Sequence, residues 1–146
     1  MCAIFGILGI SSDADALRPT ALQNSATLRH RGPDWSGIWN NDNVILTHER
    51  LAIVDLDNGA QPLFNINRNH VLAVNGEIYN HQALKSSLKQ PFEFQTHSDC
   101  EVILALYAEQ GIDFIDSLQG MFAFILYDET NNEFLVARDH MGIIPL

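Results

Sequence analysis

A cysteine directly follows the initiator methionine in Met1-Cys2-Ala3-Ile4-Phe5-Gly6. Cysteine is small enough for that methionine to be trimmed, and a mature chain starting at Cys2 would carry a thiol and a free α-amine on one residue. Such an amine has a pKa of roughly 7.7–8.0, so a neutral fraction exists near pH 7 and can take the thiol proton. The same group can later protonate a leaving amine, which makes the residue a nucleophile with its own base. A cysteine at position 2 is more often an ordinary small residue, and position alone favours that reading. Asn75-Gly76 joins a carboxamide to an unhindered backbone N–H, the kinds of donor that an acyl-transfer oxyanion needs. It is also the commonest hairpin dipeptide, and on the residues alone a turn is the stronger reading. Arg50 can grip a carboxylate through two parallel hydrogen bonds, or pair with a surface acid. Asp99 can hold an ammonium group, or sit in the first turn of a helix where the dipole favours an acid.

The elements that must position these groups come in blocks rather than strict alternation, which predicts an α+β domain. The first ten residues read as a buried strand. Residues 14–28 read as a helix with Pro19 tolerable only near its first turn, and Arg31-Gly32-Pro33-Asp34 breaks the chain. Short strands are expected at Val44–Thr47 and His70–Val74. A helix starts near Asn80, and another follows Ser98-Asp99-Cys100-Glu101, which has the form of a capping box. Gly120–Tyr127 and Glu133–Ala137 read as strands joined by a turn.

At 146 residues with 47% hydrophobic and 18% charged side chains, the chain has the size and composition of one globular domain. A net charge of −10 without any basic cluster argues against nucleic acid and anionic membranes as partners. Cys2 and Cys100 are the only cysteines, so there is no disulfide framework and a reducing, cytoplasmic setting fits. The histidines have no metal-ligand spacing, and no metal is expected. The stretch Ala3–Ile10 lacks the basic flank of a signal peptide.

Five segments are more specific than the cysteine. They are His30-Arg31-Gly32-Pro33-Asp34, His48-Glu49-Arg50-Leu51-Ala52-Ile53-Val54, Val74-Asn75-Gly76-Glu77-Ile78-Tyr79-Asn80, Ser98 to Glu101 and Arg138 to Leu146. With Cys2 ahead of them, the chain from residue 2 to residue 146 resembles the glutaminase domain of the glutamine-dependent asparagine synthetases, which are class II glutamine amidotransferases. The motif Leu51-Ala52-Ile53-Val54, followed by Gly59-Ala60-Gln61-Pro62-Leu63, is similar to that branch rather than to the glucosamine-phosphate synthase branch.

The resemblance implies an N-terminal-nucleophile (Ntn) hydrolase fold, a four-layer αββα sandwich, and hydrolysis of glutamine to glutamate and ammonia. It makes Cys2 the nucleophile and gives the oxyanion to the Asn75 side chain and the Gly76 N–H. It assigns the α-carboxylate of glutamine to Arg50 and the α-ammonium to Asp99. Leu51, Ala52, Ile53, Val54 and Glu77 then shape the rest of the pocket. The His30–Asp34 segment would fix a loop near the site without chemistry of its own, and Cys100 would be packed rather than reactive. His97, in the loop before Ser98, is expected to narrow the pocket.

The family continues with further strands and then an ATP-dependent domain that converts aspartate to asparagine. On that expectation the sandwich is incomplete at its C-terminus. The cofactors ATP and Mg and the substrate aspartate belong to the absent domain, and a homodimer is possible in the full-length enzyme. Two alternatives stay open: an amidotransferase serving a different acceptor, and a truncated, non-catalytic module.

Overall fold

The computed structural model describes residues 2–51 and 60–146. Strand β1 (Ala3–Leu8) is followed by helix α1 (Ala14–Thr27), then β2 (Trp35–Asn40) and β3 (Val44–Arg50). Next come the two-residue β4 (Leu63–Phe64), β5 (His70–Ile78), α2 (His81–Ser87) and α3 (Val102–Gln110). The described chain closes with β6 (Gly120–Asp128) and β7 (Glu133–Arg138). Two antiparallel sheets result: a three-stranded one in the order β1-β3-β2, and a four-stranded one in the order β4-β5-β6-β7.

One apolar cluster lies between the sheets and contains Val44, Leu46, Val71, Ala73, Ile125 and Tyr127. A second lies between β5, β6 and the helices, with Val74, Ile78, Ile103, Leu106, Phe122 and Phe124. Helix α1 covers the outer face of the first sheet, where Ser25 Oγ donates to Glu49 Oε1 at 2.7 Å. The layering is therefore helix, sheet, sheet, helix.

Several sequence expectations shift. β1 is only half-buried after Ala3, because it is an edge strand. Helix α1 runs through Pro19 beyond its first turn. Pro19 and Asp15, whose carbonyl loses its donor, both lie on the exposed face, where water can replace the bond. Asp13 caps that helix by accepting from the Asp15 and Ala16 amides. Strands β2 and β4 were not anticipated. Asn80 precedes α2 but does not cap it; its carboxamide instead bridges the Ser117 carbonyl and the Gln119 amide.

The expected capping box does not close. Ser98 Oγ accepts from the Cys100 amide, but Glu101 turns away to accept from the Gln95 and Thr96 amides. A 3-10 turn at Asp99–Glu101 leads into α3 instead. Asn75-Gly76 is not a turn either: both residues lie inside β5, opposite Ala123 and Phe122. Among the described residues no helix is long and apolar enough to cross a membrane.

Candidate active site

Strand periodicity builds the site. On β3, Val44, Leu46, His48 and Arg50 share the face turned to the second sheet, and on β5 so do Val71, Ala73, Asn75 and Glu77. On both strands the inner face is apolar in the middle and polar at one end. Ile4 and Leu8 of β1 pack into the same inter-sheet cluster, and Cys2 continues that face one step beyond Ile4. Cys2, His48, Arg50, Asn75 and Glu77 consequently line one cleft of about 640 Å³, open mouth included. Asp99, Cys100 and Met121 close its other side.

The Cys2 thiol lies against the end of β3. The Leu51 amide approaches Cys2 Sγ at 3.4 Å, and the Leu51 carbonyl lies 3.6 Å from it. Arg31 Nε donates to the Cys2 carbonyl at 3.4 Å, while its Nη2 is buried without a partner among the described residues. The chain directly after Arg31 lies on the backbone of β3 and holds it at that position. A Cβ on Gly32 would meet the Glu49 carbonyl group and stand 2.6 Å from the Arg50 amide. Sequence reasoning gave this segment a loop role and missed the contact, which spans 29 positions.

Backbone direction decides which amide faces the cleft. Phe122 N–H donates to Asp139 Oδ2, and Phe122 C=O accepts from the Asp139 amide, so both Phe122 groups point away from β5. Its register partner Gly76 then directs its own N–H and C=O away from β6, as do Val74 and Ile78. At that edge the Val74 amide donates to Gln61 Oε1 at 2.8 Å, and the Ile78 amide donates to Asp99 Oδ2 at 2.6 Å. The Gly76 carbonyl accepts from the Cys100 thiol at 3.5 Å. Among the described residues the Gly76 N–H is left over, beside the Asn75 side chain and in the cleft. Gly76 has φ +151°, and a Cβ there would collide with the Met121 carbonyl, so glycine is required.

His48 is fully buried, and burial, aided by Arg50, pushes its pKa down to about 4 against the raising effects of Val74 and Glu49. The ring is neutral at pH 7, and Nε2 lies 3.1 Å from the Val74 carbonyl, which fixes the proton on Nε2. Burial and the Asp99 carboxylate raise the Cys100 thiol well above its ordinary pKa, so it stays protonated. The expectation that Cys100 is packed rather than reactive agrees with this.

Cys2, Arg50, Leu51, Asn75, Gly76, Glu77 and Asp99 thus meet in one cleft. Ala52, Ile53 and Val54 lie outside the described residues. Asp99 stands in the first turn of the 3-10 segment, where Oδ2 accepts from the Ile78 amide and Oδ1 makes no bond among the described residues. At the loop where His97 was expected to intrude, Ser98 and Asp99 form the wall. A thiol, an uncovered N–H, a carboxamide and a guanidinium–carboxylate pair suit acyl transfer from a zwitterionic amide.

The family profile described as "Glutamine amidotransferase domain" matches residues 1–146, and the chain belongs to that family. Its four layers are those of the Ntn-type amidotransferases. The glutamine phosphoribosylpyrophosphate amidotransferase of B. subtilis, solved with ADP and GMP, superposes with a TM-score of 0.72 at 25% identity. That match covers 95% of this chain and 37% of the other. In sequence the chain is 62% identical over its whole length to Escherichia coli (strain K12) "Asparagine synthetase B [glutamine-hydrolyzing]", of which it covers 26%. It is 53% identical to the "Probable asparagine synthetase [glutamine-hydrolyzing]" of Dictyostelium discoideum, covering 27%. The chain therefore spans about a quarter of the length of these relatives.

Proposed function

We propose that this chain hydrolyses glutamine to glutamate and ammonia, with Cys2 as nucleophile, as the glutaminase domain (residues 2–146) of a glutamine-hydrolysing asparagine synthetase. The observation that carries the reading is the meeting of the Cys2 thiol with an uncovered Gly76 N–H in one cleft. With Met1 removed, the α-amine of Cys2 takes the thiol proton, and the thiolate attacks the side-chain carbonyl carbon of glutamine. The carbonyl oxygen becomes an oxyanion held by the Asn75 amide and the Gly76 N–H; one such donor is typically worth about 3 kcal/mol. The C–N bond then breaks, the Cys2 ammonium protonates the leaving nitrogen, and ammonia departs. Water attacks the resulting γ-glutamyl thioester, and glutamate leaves as the thiolate is restored.

Arg50 binds the α-carboxylate and Asp99 Oδ1 the α-ammonium, so substrate is held at the end remote from the reacting bond. Leu51, Ala52, Ile53, Val54 and Glu77 line the remainder of the glutamine site. The ammonia serves an ATP- and Mg-dependent conversion of aspartate to asparagine outside these residues, in a cytoplasmic and homodimeric enzyme. The 62% identity to a glutamine-hydrolysing asparagine synthetase supports that assignment.

The test is Cys2→Ala in the full-length protein, assayed for glutamate release and for ammonia-dependent asparagine formation. Glutamate release should vanish while ammonia-dependent synthesis survives. Persistent glutamine hydrolysis would refute the nucleophile, and loss of both activities would point to a structural role.

A further inference from the structure

We infer that Gln61 is a positioning residue for the oxyanion donors, its carboxamide standing in for a missing stretch of strand beside β5. This inference rests on the glutaminase reading for its kinetic consequence, but the structural device is independent of it. The β4–β5 register pairs Leu63 with Leu72, so a continued strand would set the main chain of Gln61 opposite Val74. It does not continue: β4 begins only at Leu63.

The Gln61 side chain fills the gap with the same donor–acceptor pair a backbone would offer. Its Oε1 accepts from the Val74 amide at 2.8 Å, and its Nε2 donates to the Val74 carbonyl at 3.0 Å. His48 Nε2 donates to that same carbonyl at 3.1 Å. The Val74 carbonyl belongs to the peptide that carries the Asn75 nitrogen, so these bonds fix the plane from which Asn75 and Gly76 project.

The substitution of side chain for backbone has a second consequence. A main-chain ladder extended past residue 74 would next cover the Gly76 N–H. A side-chain amide satisfies Val74 and stops there, and the next edge amide to be bonded is that of Ile78, taken by Asp99. Gln61 therefore both stiffens the edge and ends it one step before the donor that must stay open. A buried polar group without its partner is costly, so the Val74 peptide will not hold its place unaided.

The experiment uses Gln61→Met, which keeps the side-chain length and removes both hydrogen bonds, in the full-length protein. Hydrogen–deuterium exchange of the 71–78 peptide should quicken in the unliganded variant. Glutamine hydrolysis should lose about 10- to 100-fold in kcat, the range a small misplacement of catalytic groups costs, with KM changed less than about threefold. Should Gln61→Met not fold, Gln61→Glu is the second variant. It keeps the acceptor for the Val74 amide and loses the donor, and the same split between kcat and KM is expected in smaller degree.

Unchanged exchange in the 71–78 peptide overturns the inference whatever the activity. A raised KM with intact kcat also overturns it, since Gln61 would then be a substrate contact. A wild-type protein that does not hydrolyse glutamine would instead refute the glutaminase reading, while the exchange measurement still decides the strand edge.

Discussion

Replacing Gly76 with alanine tests the claim that one amide of β5 is held open for chemistry. The backbone there has φ +151°, a region that side chains of L-residues rarely adopt, and holding alanine in it costs about 1–3 kcal/mol. The new methyl would collide with the Met121 carbonyl and stand 2.6 Å from Phe122 Cα, both in the backbone of the paired strand. Neither can swing aside as a side-chain tip could, and overpacking of this kind typically costs about 1–3 kcal/mol more. A loss of about 2–6 kcal/mol is therefore expected, a large part of the roughly 5–15 kcal/mol that stabilises a domain. Relief by moving β5 off β6 would also turn the Gly76 N–H away from the cleft, which predicts a fall in kcat of about 10²–10³. Urea unfolding gives the first quantity, and steady-state glutamine hydrolysis, corrected for the folded fraction, gives the second. A variant as stable as wild type would refute the packing argument. A destabilised variant with unchanged kcat would refute the oxyanion role of this amide.

Asp99→Asn separates the two roles of that side chain. The carboxamide oxygen can still accept from the Ile78 amide, so stability should hold, whereas loss of charge should raise KM for glutamine with kcat little changed; a drop in stability with unchanged KM would leave only the structural role. Asn75→Ala should act in the opposite sense, lowering kcat by about 10²–10³ with KM little changed, and a change in KM alone would disprove the oxyanion assignment. Stability should also depend on pH. Burial holds the His48 pKa at about 4 in the folded chain against 6.5 when unfolded, so unfolding takes up a proton between those values. The full contribution is present above about pH 6.5 and falls by up to about 3 kcal/mol as pH drops towards 4. His70, whose pKa is lowered by burial against the pull of Asp128, adds in the same direction. Burial raises the Asp139 carboxyl, but the Ile143, Ile144 and Phe122 amides outweigh it and leave its pKa low, so its loss comes only at more acid pH. Urea unfolding that is flat between pH 7 and 5 would contradict the buried neutral His48.

Much of the site could be read from residue types, and its assembly could not. Cys2, Arg50, Asn75 and Asp99 stand out as chemistry-bearing groups, yet each has a bland reading that local sequence cannot dismiss. Asn75-Gly76 is the clearest case, since the pair favours a turn and is instead held straight by β6 and by the Gln61 carboxamide. A signal was available in the alternation Val44-Leu46-His48-Arg50 and Val71-Ala73-Asn75-Glu77, where two inner faces turn polar at one end. Arg31 and Gln61 were out of reach because their partners, Cys2 and Val74, lie 29 and 13 positions away and are met only once the strands of each sheet have paired. Strand β2 escaped notice because its fully inward residue is Gly37, which leaves no apolar alternation to read.

Acid quenching of the full-length protein during glutamine turnover, followed by peptide mapping, tests the central claim most directly. The account predicts a γ-glutamyl thioester on a peptide whose first residue is Cys2, with Met1 removed. An adduct on Cys100, or continued turnover by a chain that keeps Met1 ahead of Cys2, would contradict it.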